Sequence, residues 1–269
     1  MIKIQGGLDM KKRQKKLLVI IPAYNEEKNI GELLDRLSES SISEIADVLI
    51  MDDASKDNTR KIVLEKGMEV VTHVFNLGYG SGLQVGYKYA VRNDYDYVVQ
   101  MDADGQHDIC NVESIYNKLI TADEKGKCPD IVLGSRFLEG SQSFPISKVK
   151  KLAIRLFRLL IRLGTGQKIK DPTTGLQGLS RRAVEFYAGY NHFDDKYPDA
   201  NMIMQMILLG YRVVEIPSVM HARVEGVSMH SGLKPIIYML RMMFSIIAVW
   251  ILIKIYKVDV GSADEDTVT

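Results

Sequence analysis

The sequence has few of the residues on which disulfide-stabilised scaffolds and structural zinc sites depend. Only two of its 269 residues are cysteines, Cys110 and Cys128, and they lack metal-ligand spacing. This argues against a disulfide framework or a zinc site, and a reducing, cytosolic environment is the default expectation. The basic first 16 residues also lack the apolar stretch of a secretory signal, so we expect no signal peptide.

The chain also lacks a large net charge. Its 35 basic and 34 acidic residues give a formal net charge of +1, which gives no indication of nucleic-acid binding, and no nucleic acid is expected as a partner. The charges are unevenly placed, however, with basic clusters at 11–16 and 148–162 and an acidic tail at 259–269. Basic blocks beside apolar segments indicate contact with an anionic surface, such as the inner leaflet of a membrane.

The common nucleotide-binding loops are missing too. There is no Walker loop, and no G-x-G-x-x-G follows the first predicted strand, so a P-loop nucleotidase or a dehydrogenase fits poorly. Gly78, Gly80 and Gly82 form a motif that is too short and comes too late in the chain for that fingerprint. They can either allow close backbone packing at the start of a helix or contact a phosphate, and the sequence leaves both interpretations open.

What the sequence does contain is a regular alternation of strands and helices. Apolar runs rich in β-branched residues predict strands at 17–21, 48–51, 70–74, 97–101 and 130–134, with helices between them. Two more strands are predicted at 176–179 and 211–217, with a helix at 201–209 between them. This order predicts the α/β class with a mostly parallel central sheet.

Polar residues gather directly after three of these strands: at 24–26, at Asp52 and Asp53, and at 102–107. In open α/β sheets, ligands bind at that edge. Asp102 and Asp104 are two residues apart at a strand end, so their carboxylates can point the same way and converge on a hard cation. An acidic turn would explain either aspartate alone, but three polar clusters on one edge favour a binding site.

The segment 145–163 predicts an amphipathic helix with an unusual charge pattern. Its basic residues are spaced three or four apart and form one stripe, beside a wide apolar face: Lys148, Lys151, Arg155, Arg158 and Arg162. A basic stripe without acidic residues favours a helix that lies in a membrane interface over a core helix with one solvated face.

A second apolar segment lies near the end of the chain, at 231–257. From 236 to 253 it contains one charged residue, Arg241, among 18 residues. That composition suits either a membrane-spanning helix or a helix that lies on the membrane surface. Two apolar helices also favour self-association or the binding of a small membrane partner.

Five motifs, taken in order, carry a resemblance to a known family: PAYNEE at 22–27, DDxSxDxT from Asp52, NxGxG from Asn76, DADxQH from Asp102 and GSR at 134–136. Together they resemble the family-two glycosyltransferases with the GT-A fold, and within them the dolichol- and polyprenyl-phosphate sugar synthases. DPTTG from Asp171 and RxxGxS from Arg223 also match that branch. The resemblance extends from about Leu17 to Ser228. Together with the charge and apolar patterns, it predicts a basic arm (1–16), a GT-A domain (17–230) that includes the interfacial helix 145–163, an apolar membrane-associated or transmembrane helix (231–257) and an acidic tail (258–269).

The resemblance also implies a role for individual residues. The nucleotide would be held by Pro22, Tyr24, Glu26 and Asp53. The ribose, the diphosphate and a Mg²⁺ or Mn²⁺ ion would be held by Asp102 and Asp104, with Gln106 beside the metal. Arg136 and Lys148 would meet the acceptor phosphate and Arg223 the donor diphosphate, so that Asp104, Arg136 and Arg223 form the catalytic group. Met229, followed by His230, stands where the branch often has a lysine, and Lys234 could take over that contact.

The expected function is inverting, metal-dependent transfer of a sugar from a UDP- or GDP-sugar to a polyprenyl phosphate, at the cytoplasmic face of the cell membrane. One alternative is transfer to a saccharide hydroxyl during cell-wall or capsule assembly. That reaction needs a general base, for which Asp194, Asp195 and Asp199 are candidates. A non-catalytic scaffold that recruits a membrane partner is the third hypothesis.

Overall fold

The computed structural model describes residues 3–4, 15–142, 146–221 and 234–257, and the described residues form one eight-stranded sheet. The strands are β1 (Lys3–Ile4), β2 (Leu17–Ala23), β3 (Ala46–Asp52), β4 (Glu69–Thr72), β5 (Tyr97–Gln100), β6 (Ile131–Ser135), β7 (Gln177–Ser180) and β8 (Val213–Pro217). Their order across the sheet is β1-β4-β3-β2-β5-β7-β6-β8. The seven strands predicted from the apolar runs are present, with ends that differ by one or two residues.

The sheet is mostly parallel, which confirms the predicted fold class. Of its seven strand pairings, four are parallel (β4–β3, β3–β2, β2–β5 and β6–β8) and three are antiparallel (β1–β4, β5–β7 and β7–β6). The antiparallel insertion of β7 between β5 and β6 was not predicted. Gln177, at the start of β7, is paired with Gln100 at the end of β5 and with Leu133 of β6. The loop that precedes β7 therefore reaches the edge of the sheet where β5 ends.

Helices cover both faces of the sheet: α1 (Ile30–Glu39), α2 (Ile42–Ile45), α3 (Thr59–Glu65), α4 (Tyr79–Arg92), α5 (Cys110–Ile120), α6 (Lys148–Thr165), α7 (Arg181–Ala188), α8 (Ala200–Leu208) and α9 (Lys234–Lys254). In β2, Leu18 and Ile20 belong to the hydrophobic cluster that includes residues of α4, α6, α8 and α9. Leu17, Val19 and Ile21 belong to the cluster on the other face, with residues of α1, α3 and α5. Because β2 is buried on both faces, its sequence is apolar without interruption.

Helix α6 begins at Lys148, three residues later than predicted, and Ser147 caps its amino end by accepting a hydrogen bond from the Lys150 backbone N–H. One face packs into the core through Ala153, Ile154, Phe157 and Ile161. Apolar side chains also remain on its outer surface: Val149, Leu152, Leu159 and Leu163.

One member of the predicted basic stripe departs from it. Arg158 lies over the Phe137 ring, 4.5 Å from its centroid, and donates to the Lys170 carbonyl. The other four residues of the stripe are exposed. Helix α6 therefore has a buried face, and its exposed surface combines basic and apolar side chains.

Helix α9 packs along α6 and α8. Met242 and Ile246 are buried, and Trp250 lies so close to Gly164 of α6 that a Cβ atom on that glycine would be 2.8 Å from the indole ring. The residues Ile237–Lys254 form a helix that is long and apolar enough to cross a membrane by length and composition. Its outward side chains are mostly apolar: Ile237, Leu240, Phe244, Ile247 and Leu252.

Candidate functional site

The site lies where β2, β3 and β5 end and where the loop before β7 meets them. The loops after β2 and β3 are joined by hydrogen bonds. The Asp53 N–H donates to the Ala23 carbonyl, and the Glu26 N–H donates to Thr59 Oγ1 at 2.8 Å. Parallel neighbours end at the same edge, so the three polar clusters predicted from the sequence share that edge.

Asp102 is held from two sides directly after β5. Its Oδ1 accepts a hydrogen bond from the Tyr79 hydroxyl at 2.9 Å, and its Oδ2 lies 3.4 Å from His107 Nε2. Burial would raise the pKa of Asp102, but the hydrogen bonds and charge from His107, the bond from Tyr79 and the nearby Lys150 lower it. The carboxylate is therefore held in its ionised form.

Gly175, in the loop before β7, leaves room for that carboxylate. A Cβ atom at position 175 would lie 2.8 Å from Asp102 Oδ2 and 3.1 Å from Oδ1, which is closer than carbon and oxygen normally approach. The adjacent Gly175 carbonyl accepts a hydrogen bond from Gln100 Nε2 at 3.0 Å, which fixes the loop to the end of β5. A side chain at position 175 would therefore displace the Asp102 carboxylate.

The residues predicted to hold a divalent metal fit that role. Asp104 is buried, and its Oδ1 accepts a hydrogen bond from the Gln106 N–H at 3.1 Å. Across the described residues, no cluster of three or more His, Cys, Asp or Glu side chains has metal-binding geometry. Mg²⁺ and Mn²⁺ sites that also bind phosphates use one or two carboxylates and fill the remaining positions with water and phosphate oxygens. Two carboxylates and the Gln106 amide are therefore a suitable set of ligands.

Arg136, directly after β6, forms a buried ion pair with Asp171. Its backbone N–H and Nε donate to Asp171 Oδ2 at 2.9 and 2.7 Å, and its Nη2 donates to Oδ1 at 2.6 Å and to Thr173 Oγ1 at 2.9 Å. Burial would lower the pKa of Arg136, but the hydrogen bonds and charge of Asp171 raise it. This bidentate pair fixes the plane of the guanidinium, and Nη1 takes no part in it.

Lys150 is a candidate site residue that the sequence motifs do not indicate. Desolvation and the charge of Arg136 lower the pKa of Lys150, whereas the charges of Asp199, Asp171 and Asp102 raise it. Lys150 therefore lies near these four residues. Within the described part of the chain its ammonium forms no hydrogen bond and no ion pair. Lys148, which the resemblance selected, lies at the first position of α6 and is exposed, as Lys150 is, and its role stays a prediction.

The helical pattern itself contains a signal for Lys150. The core-facing positions of α6 are Ala153, Ile154, Phe157 and Ile161, and Lys150 continues that stripe by one turn toward the amino end. The Lys150 side chain is exposed, although neighbouring groups desolvate its ammonium enough to lower its pKa.

Asp199 lies near Lys150 and Arg136, at the amino end of α8. Burial raises the pKa of its carboxyl to about 6, with Asp102 adding to the rise, while a hydrogen bond from Tyr238 and the charges of Lys150 and Arg136 act against it. Of the three candidate bases, Asp194 is engaged in a turn, where its Oδ1 accepts hydrogen bonds from two backbone N–H groups. Asp199 is the candidate that shares its surroundings with the cations of the site.

Asp53, predicted to hold the nucleotide, also organises the loop after β4. Its Oδ1 accepts from the Leu77 N–H and lies 2.8 Å from His73 Nδ1, and its Oδ2 accepts from the Gly78 N–H at 2.8 Å. Burial would raise the pKa of Asp53, but these hydrogen bonds and His73 lower it. Both oxygens are thus already engaged by protein groups.

The other predicted nucleotide residues lie on the loop after β2. Pro22 is paired with Met51 near the ends of their strands, and the Tyr24 side chain is exposed at the edge of the sheet. Glu26 Oε2 accepts a hydrogen bond from Asn29 Nδ2 at 2.7 Å. These positions border the edge on which Asp102 lies, and their contacts with a nucleotide stay predictions.

The glycines at the start of α4 allow close packing. Gly78 has a φ of +100°, and a Cβ atom on Gly80 would lie 2.1 Å from the Asp194 carbonyl oxygen. The Ser81 N–H donates to the Asp195 carbonyl at 2.9 Å. The sequence left open whether these glycines allow close packing or contact a phosphate, and the structure shows the close packing. Tyr79, between Gly78 and Gly80, contacts Asp102.

Arg223, Met229 and His230 lie outside the described residues, and so does the side chain of Lys234. The chain before Arg223 runs beside the loop predicted to hold the metal. The His221 N–H donates to the Gln106 carbonyl at 2.8 Å, and His221 Nε2 lies 2.9 Å from Asp108 Oδ2. The predicted role of Arg223 on the donor diphosphate is not tested by these contacts.

Comparison with known proteins agrees with this geometry. The model of the family described as glycosyl transferase family 2 matches residues 18–187. The undecaprenyl-phosphate mannosyltransferase of Micrococcus luteus is 28% identical over 229 residues, covering 81% of this chain and 88% of that protein. The UDP-N-acetylglucosamine–dolichyl-phosphate N-acetylglucosaminyltransferase of Methanococcus voltae is 30% identical over 188 residues, covering 64% and 72%.

A solved structure shares the fold. The crystal structure of glucosyl-3-phosphoglycerate synthase from Mycobacterium tuberculosis, in complex with Mn²⁺, UDP and glucosyl-3-phosphoglycerate, superposes with a TM-score of 0.57 at 17% identity, covering 88% of this chain and 79% of that one. At that identity the likeness shows the GT-A fold alone. The family match covers more than half of the chain, and the chain therefore belongs to glycosyl transferase family 2 and is a glycosyltransferase, similar to the branch of polyprenyl-phosphate sugar synthases.

Proposed function

We propose that this protein transfers a sugar from a nucleotide-sugar to a polyprenyl phosphate at the cytoplasmic face of a membrane. The observation that carries the proposal is the Lys150 ammonium, which lies near Arg136 and Asp102 and forms no hydrogen bond or ion pair with the residues that the structure describes. A cation without a partner in such a place suits an anionic ligand, because the ligand would supply the missing charge. Relatives named as undecaprenyl-phosphate and dolichyl-phosphate sugar transferases support the same acceptor class.

On the donor side, Asp102 and Asp104 would hold Mg²⁺ or Mn²⁺ with help from Gln106. The chemistry that such an ion supplies when bound is neutralisation of the charge on the departing nucleoside diphosphate. Tyr79, His107 and the space left by Gly175 keep the Asp102 carboxylate ionised and in place. A UDP-sugar is our choice of donor, and the identity of the sugar depends on the shape of the pocket.

On the acceptor side, a phosphate oxygen would form a bond to the anomeric carbon while the bond from that carbon to the diphosphate breaks, with inversion. A lipid phosphate is already anionic at neutral pH and needs no base, but it needs cations that position it. Lys150 is available for a direct contact, and Nη1 of Arg136 is the guanidinium nitrogen left over by the pair with Asp171. Attack then depends on orientation and electrostatics more than on proton transfer.

The surface formed by α6 and α9 supports a membrane location. Exposed apolar side chains on α6, such as Leu152 and Leu163, lie beside exposed basic residues, and α9 presents a further apolar row. Because α9 packs along α6 and α8 through Met242, Ile246 and Trp250, we place it on the membrane surface beside α6, where both helices can contact lipid.

The test is a transfer assay with purified full-length protein in lipid vesicles. Labelled UDP- and GDP-sugars are supplied with undecaprenyl or dolichyl phosphate and Mn²⁺. We expect an acid-labile glycolipid with one donor, and its loss after chelation of the metal or in Asp104→Ala. If no donor yields a glycolipid with either lipid, the proposed acceptor class is wrong.

Transfer to a saccharide hydroxyl is the second candidate, and the raised pKa of Asp199, about 6, is the observation that favours it. A general base works best when its pKa lies near the operating pH. If a hydroxyl is the acceptor and Asp199 is its base, Asp199→Asn should abolish turnover, because an amide cannot accept the hydroxyl proton. With a lipid phosphate, we expect Asp199→Asn to retain transfer. The same variant therefore separates the two acceptors.

A further inference from the structure

Helix α9 makes polar contacts with the amino end of α8 and the loop before it, in addition to its apolar packing. The Tyr238 hydroxyl donates to Asp199 Oδ2, and Ser245 Oγ accepts from Asn201 Nδ2 at 3.0 Å. Between them, the Arg241 guanidinium lies over the Tyr197 ring, 5.0 Å from its centroid. Positions 238, 241 and 245 lie on one face of a helix, so α9 presents a polar stripe to this part of the catalytic domain.

The backbone of Asp199 is fixed by hydrogen bonds to residues of α8. Its carbonyl accepts hydrogen bonds from the Met202 and Ile203 N–H groups in the first turn of α8, and its own N–H donates to Asn201 Oδ1 at 3.0 Å. The Asp199 side chain, in contrast, depends on α9, because its carboxylate accepts a hydrogen bond from Tyr238. Within the described residues, neither Lys150 nor Arg136 forms an ion pair with Asp199, although both act on its charge.

The Tyr238 ring is in turn held by aromatic neighbours. It packs edge-on against Phe157 of α6, with centroids 6.4 Å apart, and against Tyr197, with centroids 5.5 Å apart. These contacts come from two separate parts of the domain and restrict the ring, so that its hydroxyl stays directed at Asp199.

We propose that Tyr238 is a positioning residue for the acceptor side of the site, acting through Asp199. By holding the Asp199 carboxylate, Tyr238 keeps it from closing onto Lys150, so that the ammonium stays available to the acceptor phosphate. Helix α9 is then a component of the active site as well as an apolar surface. The inference rests on the proposed function, because it assigns Lys150 to the acceptor.

Kinetics of Tyr238→Phe test the inference, with Tyr256→Phe as the matched control. Tyr256 lies two residues beyond the end of α9 and is 70% exposed, so the same atom is removed without touching the site. We expect the KM for polyprenyl phosphate to rise about tenfold in Tyr238→Phe, as for loss of one hydrogen bond to a charged group, with the donor KM unchanged. Equal changes in both KM values, or none, would overturn the proposal.

A double variant distinguishes positioning from a general loss of packing. If Tyr238 acts through Asp199, the KM of Tyr238→Phe/Asp199→Asn equals that of Asp199→Asn alone, whereas multiplying effects would contradict the inference. Trp250 is the sole tryptophan of the chain and contacts Gly164, so its fluorescence reports whether α9 is still docked in each variant. An emission shift in Tyr238→Phe would mean that the helix has moved and that positioning is not the cause.

A readout that is independent of turnover separates this inference from the proposed function. If the unaltered protein forms no glycolipid, the proposed function fails by itself. Unfolding midpoints of Tyr238→Phe, Asp199→Asn and the double variant then decide whether the two side chains are coupled. We expect the two destabilisations not to add, and additive shifts would refute the coupling.

Discussion

Replacement of Lys150 by methionine is the sharpest test of the site. Methionine keeps an unbranched side chain of similar length and removes the charge. The Lys150 ammonium forms no hydrogen bond or ion pair within the described residues, so its loss leaves no protein group without a partner. Its contribution should therefore appear in acceptor binding and in turnover, with little change in stability.

The expected loss of activity in Lys150→Met follows from the contact that the ammonium would make with the acceptor phosphate. A hydrogen bond between two charged groups contributes about 1.5 to 3 kcal/mol. Lys150→Met should therefore lower kcat/KM for the polyprenyl phosphate by about 10- to 100-fold. Arginine at the same position should restore part of the loss, because it keeps the charge with a different geometry.

The assay measures initial rates of glycolipid formation over a range of acceptor concentrations at saturating donor. Lys168→Met, an exposed lysine beyond the end of α6, is the control for loss of a surface charge. Lys148→Met compares the lysine selected by the sequence motif with the lysine selected by the structure. A loss at Lys148 larger than that at Lys150 would refute our assignment.

Three further predictions concern stability and the metal site. Gly175→Ala should displace the Asp102 carboxylate and lower kcat/KM about 100-fold, measured at several Mn²⁺ concentrations, with a folded circular dichroism spectrum. Asp171→Asn should destabilise the protein by about 3 kcal/mol in chemical unfolding, because it leaves the buried Arg136 charge without its partner. Burial would raise the pKa of Asp108, but hydrogen bonds from a histidine and a backbone amide lower it to about 2. The stability this provides is present above about pH 4 and is lost as pH falls toward 2, so Asp108→Asn should cost about 2 kcal/mol of unfolding free energy at pH 7 and nothing below pH 2.

The fold was predictable because local signals were strong. Uninterrupted apolar runs such as 17–21 mark strands buried on both faces, and the structure has strands at these places. The direction of β7 was not predictable, because a four-residue strand in isolation carries no information about which neighbours it joins. Its placement between β5 and β6 determines that Gly175 lies against Asp102.

The sequence of α6 revealed only part of its arrangement. Helical spacing identified the basic stripe at 148–162 and indicated a solvated or membrane-facing surface. It did not show that Lys150 shares a face with Phe157 and Ile161, since the choice of face depends on what the helix packs against. The sequence also could not distinguish among the three candidate general bases, because their surroundings depend on tertiary packing. Asp194 and Asp199 differ in their contacts, which involve residues distant in the chain.

The sequence by itself determined the α/β class, the acidic pair at 102 and 104 and the family. These features depend on apolar periodicity and on short motifs whose members are adjacent in the chain. Only the tertiary structure decided that Lys150 lies near Arg136 and Asp199, and that Tyr238 of the apolar helix reaches Asp199. The reason is physical: those groups come from α6, α8 and α9, and their charges and hydrogen bonds meet only when the helices pack together.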